Sequence, residues 1–253
     1  MQNRETLEEY ARTLAFNLGQ TERDYLQHII LQTVSENAGN QMVFKGGTSL
    51  QKTMNMPRYS EDLDFTVKII DTKELCERIT EKLKYYGYES NPRKTIQDTG
   101  ETIVFKIHGP LYNGESITEA SVRLDLSSRE TVILKAKTHT INPVYNDIPQ
   151  YDINTMDEQE ILAEKIRAMT KRKRARDLYD INHLLGKNVK LDKNLVTEKL
   201  KYYNEKIDLE KIEEAIKNMQ KQWAVEMKIL TRDTPEYDTV AAFTIKKIKE
   251  ELG

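Results

Sequence analysis

Two glycines and two aspartates stand close together in FKGGTSLQKTMNMPRYSEDLDFTV, residues 44–67. Glycines let a phosphate approach the backbone closely. Thr48 and Ser49 follow Gly46-Gly47 and open a predicted short helix, whose exposed N–H groups attract anions and whose hydroxyls can add donors. Asp62 and Asp64 are two residues apart in an alternating stretch. On a strand both carboxylates lie on one face, with Cα atoms about 6.5–7 Å apart. Leu63, Phe65 and Val67 form the other face and read as core. Hard oxygen donors in that pattern suit two magnesium ions, which phosphoryl transfer uses to clamp the attacking and leaving oxygens.

A lone Gly-Gly is usually a turn, and a lone Asp-x-Asp is usually a solvated strand face. Here fourteen residues, 48 to 61, separate Gly47 from Asp62 in the order strand, turn, helix, loop, strand. That combination is far more specific than either part. Asp125, in SVRLDLSSRE, alternates onto the polar side of a predicted strand. It is read either as a third carboxylate for the metal or as a strand acid paired with Arg123 or Arg129.

A second cluster follows at Glu164-Lys165 and Arg176-Asp177-Leu178-Tyr179-Asp180. On one continuous helix Lys165, Arg172 and Arg176 would fall within about 40° of each other, with Asp180 about 60° from Lys165; a break before Arg176 would void that arithmetic. One face would then present cations and a carboxylate, while Ile161, Leu162 and Ile166 pack. The alternative is a structural ion-pair network. The run KRKRAR, residues 171–176, is the densest positive charge; it reads as an RNA-backbone contact or as a solvated helix face.

The elements that must position these residues are read from periodicity. Helices are predicted over 5–17 and 22–37, the latter with Thr21 as N-cap. A strand covers 41–44, Gly46-Gly47 turns, and a helix runs over 48–54. A strand covers 60–67, a helix 71–86, and strands 101–108 and 119–127, with 131–137 as a further strand. From Asp157 onward the pattern is helical. The fold class is therefore α+β: a small mixed sheet with flanking helices, then an all-α C-terminal half. The expected domains are 1–155, including the N-terminal helices, and 156–253.

The bulk composition limits the function. There are 39 basic and 41 acidic side chains, net charge −2, so any nucleic-acid binding must rest on local charge. With Cys76 alone, no intramolecular disulfide can form. The acidic N-terminal stretch is unlike a secretory signal, and no apolar run approaches the ~20 residues needed to span a bilayer. A cytoplasmic protein with no membrane partner is expected. The histidines show no metal spacing, and Trp223 reads as packing.

The block resembles the polymerase-beta-like nucleotidyltransferase superfamily, marked by a Gly-Gly or Gly-Ser turn followed by an acid-x-acid strand. Within it, GGTSL, RYSEDLDF and EKIRAMTKRKRARDLYDI resemble the AbiEii/AbiGii toxin family of toxin–antitoxin and phage-defence systems. The resemblance implies the polymerase-beta-like core and transfer of a nucleoside monophosphate from an NTP, with two Mg²⁺. Gly46, Gly47, Thr48 and Ser49 would bind the triphosphate, with Arg58 and Ser60 in the same motif; Arg58 would contact phosphate or pair with Asp62 or Asp64. Asp62 and Asp64 would hold metal, joined by Asp125. Lys165 would serve the NTP phosphates, and Asp177 or Asp180 would support the active site. The acceptor implied is a tRNA 3′ end, and an antitoxin partner is expected. The alternatives are a protein hydroxyl as acceptor, or a non-catalytic binding module on the same fold.

Overall fold

A computed structural model describes residues 2–253. The chain forms two compact units, one of Met1–Asn55, Tyr59–Thr131 and Ala136–Thr155, the other of Met56–Arg58, Val132–Lys135 and Met156–Gly253. The first unit holds helices α1 (Arg4–Leu14), α2 (Leu18–Ala38), α3 (Gly46–Met54) and α4 (Thr72–Tyr85). Its strands are β1 (Met42–Lys45), β2 (Asp62–Val67), β3 (Ser90–Gln97), β4 (Gly100–Ile107), β5 (Ala120–Ser127), β6 (Lys137–Ile141) and β7 (Tyr151–Thr155).

These strands make one mixed sheet in the order β3-β4-β5-β2-β1-β7-β6. β2 runs antiparallel to β1 and parallel to β5, so the acid strand is central. Alternation divides it: Leu63 and Phe65 are buried, while Asp62 and Asp64 are half-buried. Phe44, Leu124 and Leu126 continue the apolar face, and Tyr25, Leu26, Ile29 and Ile30 of α2 belong to the same core. That core holds the sheet, leaving its polar face for chemistry.

Helix α2 is buried almost all round, from Thr21 to Val34. It starts earlier than Thr21, because Asn17 caps it: the Asn17 side chain accepts from Gln20 N, and Gln20 reaches back to the Asn17 N–H. Thr21 lies inside the helix, and its hydroxyl donates to Asn17 O at 3.0 Å.

The expected strand over 131–137 does not form. Residues 132–135 group with the second unit, where the Glu160 carboxylate accepts from Ile133 N and Leu134 N at 2.8–3.0 Å. One carboxylate thus takes the donors that a neighbouring strand would have used. β3 was not anticipated: it is an exposed edge strand carrying Pro92, so it lacks the alternation of a half-buried strand.

The second unit is helical, with α5 (Glu158–Arg172), α6 (Ala175–Gly186), α7 (Lys193–Lys201), α8 (Leu209–Asn218), α9 (Gln220–Leu230) and α10 (Tyr237–Leu252). Lys173 adopts a left-handed conformation, φ 45°, and closes α5. The continuous-helix arithmetic joining Lys165 to Arg176 and Asp180 therefore does not apply. Trp223 is buried and donates to Pro235 O at 2.9 Å. No helix among the described residues is long and apolar enough to cross a membrane.

Candidate active site

The first unit builds the glycine turn and the acids as one local structure. β1 runs into α3 without an intervening loop, so Gly46 is the first residue of the helix rather than part of a separate turn. Lys45 is the N-cap, extended, and gives no side-chain hydrogen bond to the helix start. Gly46 has φ +77°, a conformation that favours glycine. A Cβ there would collide with Asp64 Oδ2 and stand 3.1 Å from Asp64 Cβ and Cγ. The same glycine thus gives the backbone its bend and leaves room for the acid. This close approach explains why the two halves of the sequence motif occur together.

Thr48 and Ser49 are fully buried. Thr48 Oγ1 lies 2.5 Å from Asp62 O and 2.9 Å from Ser60 Oγ. A hydroxyl has one proton and a carbonyl only accepts, so Thr48 donates to Asp62 O and accepts from Ser60. The Thr48 and Ser60 side chains tie α3 to the start of β2, which leaves their expected phosphate contact to the backbone. Ser49 Oγ is buried with no hydrogen-bond partner among the described residues.

Side chains from α2 complete the support, and the sequence reading missed them. Gln51 Nε2 donates to Asp24 at 3.0 Å, and Gln51 Oε1 accepts from Ser60 N at 2.9 Å. Gln27 Nε2 donates to Ser60 O and Glu61 O at 3.0 and 2.8 Å. Buried Lys52 pairs with buried Asp24, which also accepts from Tyr145 Oη at 2.9 Å. Burial works against the Asp24 charge, but Lys52 outweighs it and holds the carboxyl below its ordinary range. His28 Nε2 is 3.6 Å from the same carboxylate. Burial, reinforced by the Lys52 charge, lowers the imidazole to about 3, so His28 is neutral and Lys52 is the counter-ion. Polar residues within a helix as buried as α2 carried a signal of internal partners; their identities did not show in the spacing.

On the polar face of the sheet, Asp64 is directly opposite Asp125, and Asp62 opposite Arg123. Arg123 Nε donates to Asp125 Oδ1 and Oδ2 at 3.0 and 2.9 Å, and Thr102 Oγ1 donates to Oδ1 at 2.6 Å. Asp125 therefore has both features foreseen for it, a place beside the acid pair and an arginine partner. Among the described residues no three His, Cys, Asp or Glu side chains converge on a ready-made metal cage. Magnesium needs only one or two carboxylates when phosphate oxygens and water complete its octahedron. The half-buried, oxygen-only donor set of Asp62 and Asp64 fits that ion.

The second unit brings together Arg58, Lys165, Asp177 and Asp180. Arg58 is buried and grips Asp180 through two hydrogen bonds, Nε–Oδ1 2.6 Å and Nη2–Oδ2 2.7 Å. It was expected to contact phosphate or to pair with Asp62 or Asp64; its donors at Nε and Nη2 are instead engaged by the buried Asp180 carboxylate. Lys165 Nζ is 3.0 Å from Asp177 and 2.7 Å from Asp180. Arg172 makes two further hydrogen bonds to Asp177, at 2.7 and 2.9 Å. Burial tends to raise both acids, but Lys165 and Arg172 hold Asp177 well below the usual range, and Arg58 and Lys165 hold Asp180 below it. Within this unit the residues form one ion-pair network. In the KRKRAR run, Lys171 pairs with Glu205 at 2.6 Å, while Lys173 and Arg174 are exposed.

The family model described as nucleotidyl transferase AbiEii toxin, type IV toxin–antitoxin system, matches residues 29–244. MenT4, a nucleotidyltransferase toxin from Mycobacterium tuberculosis H37Rv, is similar at 20% identity and a TM-score of 0.70, over 100% of this chain and 89% of that one. JHP933 from Helicobacter pylori is similar at 19% identity and a TM-score of 0.66, over 94% of each chain. No curated protein matches by sequence. At these identities the solved structures establish the fold, an α+β nucleotidyltransferase core followed by helices.

Proposed function

This chain belongs to the AbiEii family of nucleotidyl transferase toxins, and on that premise we propose that it transfers a nucleoside monophosphate from an NTP to the 3′ end of tRNA in a magnesium-dependent reaction. The observation that carries the reading is the contact of Gly46 with Asp64, which sets an uncapped helix start beside two metal-suited carboxylates. The first amides of α3 bind phosphate oxygens. Asp62 and Asp64 hold the cation from one face of β2. Magnesium bound there would offset triphosphate charge and make the acceptor hydroxyl a better nucleophile. Thr48, Ser60 and Gln51 keep turn and acids in register, so that the donors need no rearrangement at the moment of reaction. The acceptor oxygen attacks the α-phosphorus, the bond to the bridging oxygen breaks, and pyrophosphate leaves.

The tRNA acceptor follows from the family resemblance, and the exposed Lys173 and Arg174 supply charge suited to an RNA backbone. A cognate antitoxin, expected from the type IV toxin–antitoxin description of the family, and a cytoplasmic site of action complete the proposal. The test is incubation with Mg²⁺, each α-³²P-labelled NTP in turn and total tRNA, beside the Asp62→Ala/Asp64→Ala variant. Label entering RNA, and absent in the variant, is expected and names the nucleotide. Label on protein bands instead would replace the acceptor. Absence of label from every product would overturn nucleotidyl transfer to either acceptor.

A further inference from the structure

We propose that Arg123 is a resident counter-ion of Asp125 on the acidic face, a positioning residue that occupies this carboxylate until a divalent cation displaces it. The inference rests on the reading of Asp62 and Asp64 as cation ligands. Three carboxylates share one face of two neighbouring strands, with Asp64 and Asp125 directly opposite. Like charges so placed destabilise a sheet. Arg123 lies opposite Asp62 and two residues before Asp125, so alternation sets its side chain on the same face. Its Nε reaches both Asp125 oxygens. The hydrogen bonds it donates to Asp125, with the charges of Asp62 and Asp64 beyond them, raise the guanidinium above its ordinary value.

This arginine can be displaced. Its side chain is 47% exposed and that of Asp125 29% exposed, and pairs so placed contribute about 0–1 kcal/mol. Guanidinium does not lose its proton in proteins, so Asp125 is vacated only when the whole side chain moves. Thr102 stays behind as a donor to Oδ1 and keeps the carboxylate oriented. A divalent cation at Asp62 and Asp64 brings two positive charges to the face beside Asp125 and competes with the arginine there. Asp125 then becomes available as a third oxygen ligand.

The test is a Mn²⁺ titration of the purified full chain without nucleotide at low ionic strength, with free Mn²⁺ read by electron paramagnetic resonance. Arg123→Gln should bind Mn²⁺ about fivefold more tightly than wild type, the upper end for a partly exposed ion pair. Arg123→Lys keeps the charge but loses the planar fork, and its affinity should fall between the two. If Arg123→Gln binds no more tightly than wild type, the proposal is overturned. It is also overturned if Arg123→Lys equals wild type while Arg123→Gln alone tightens, because a distant field would then explain the effect without occupation of Asp125. Asp62→Ala/Asp64→Ala separates the two readings. Binding lost in that variant but indifferent to Arg123 overturns the counter-ion alone, whereas wild-type binding that survives in that variant, or no wild-type binding, overturns the cation reading and the counter-ion with it.

Discussion

The two units each gather aspartates and arginines, and they use them in opposite ways. In the first unit, Asp62, Asp64 and Asp125 lie half-buried on one sheet face, and Asp125 shares a half-exposed arginine. In the second, Asp177 and Asp180 are fully buried, and each accepts from two cationic side chains. The pairing of Arg58 with Asp180 has side-chain exposures of 2% and 0%. The same residue types thus make a site open to a ligand in one setting and a cross-link in the other. Solvent access decides which, because charge taken fully out of water must be matched on the spot.

The largest effect that would break this comparison lies at the open acids. Asp62→Ala and Asp64→Ala should each lower nucleotidyl transfer by about a hundred- to a thousandfold, the scale of losing charge stabilisation at a reacting centre. Each should leave the urea midpoint nearly unchanged, since half-exposed like charges contribute little to folding. A variant that unfolds would place these acids with those of the second unit.

Next is Asp180→Ala, which should cost about 3–5 kcal/mol in urea denaturation, because buried Arg58 loses its two-pronged carboxylate contact and Lys165 loses one of its two acids. Arg58→Met should cost less, since Asp180 keeps Lys165. Equal activity and stability losses at Asp62 and Asp180 would erase the distinction between the units.

Gly46→Ala tests the coupling within the first unit. The positive φ alone costs about 1–3 kcal/mol, and the new methyl meets Asp64. Transfer should fall further than Mn²⁺ binding does, because the turn is displaced while both carboxylates remain. Wild-type activity in this variant would show that the turn and the acids do not depend on their close approach.

How much of this was legible in the sequence follows from the range of each interaction. Gly46, Asp62 and Asp64 are joined by about one strand-helix-strand unit, so local spacing revealed them. Asp125 was placed correctly on the polar side by alternation alone, and Arg123 was already one of its two expected partners. Arg58 and Asp180 are 122 residues apart, a distance across which spacing carries no information. A break before Arg176 was allowed for, but its place at Lys173 was not legible, because a left-handed lysine has no distinct sequence mark. Asn17 did have one: Asn-x-x-Gln is a capping box, and it was passed over for the acids after Thr21. The Asp24, Gln27, Gln51 and Lys52 support was hidden for the same reason as Arg58, since its partners come from separate elements.

The smallest effect separates the buried charges of the two units by pH. His28 is held neutral, lowered from 6.5 to about 3, among Asp24, Lys52, Tyr145 and Tyr151. Between those values the unfolded chain binds a proton that the native chain refuses, so stability is full above pH 6.5 and declines as pH falls toward 3. The slope from this one group is at most about 1.4 kcal/mol per pH unit. Asp177 and Asp180, held below their ordinary 3.8, contribute fully above that value and lose their contribution only as pH falls below it. Denaturation midpoints between pH 6 and pH 5 therefore report on His28 and hardly on the second unit. His28→Gln keeps a side-chain hydrogen-bonding group near Tyr151 and removes the titration, so its stability should change less over that interval than that of wild type. An identical slope in the two proteins would mean that His28 is already charged in the native state and that Asp24 holds two cations rather than one.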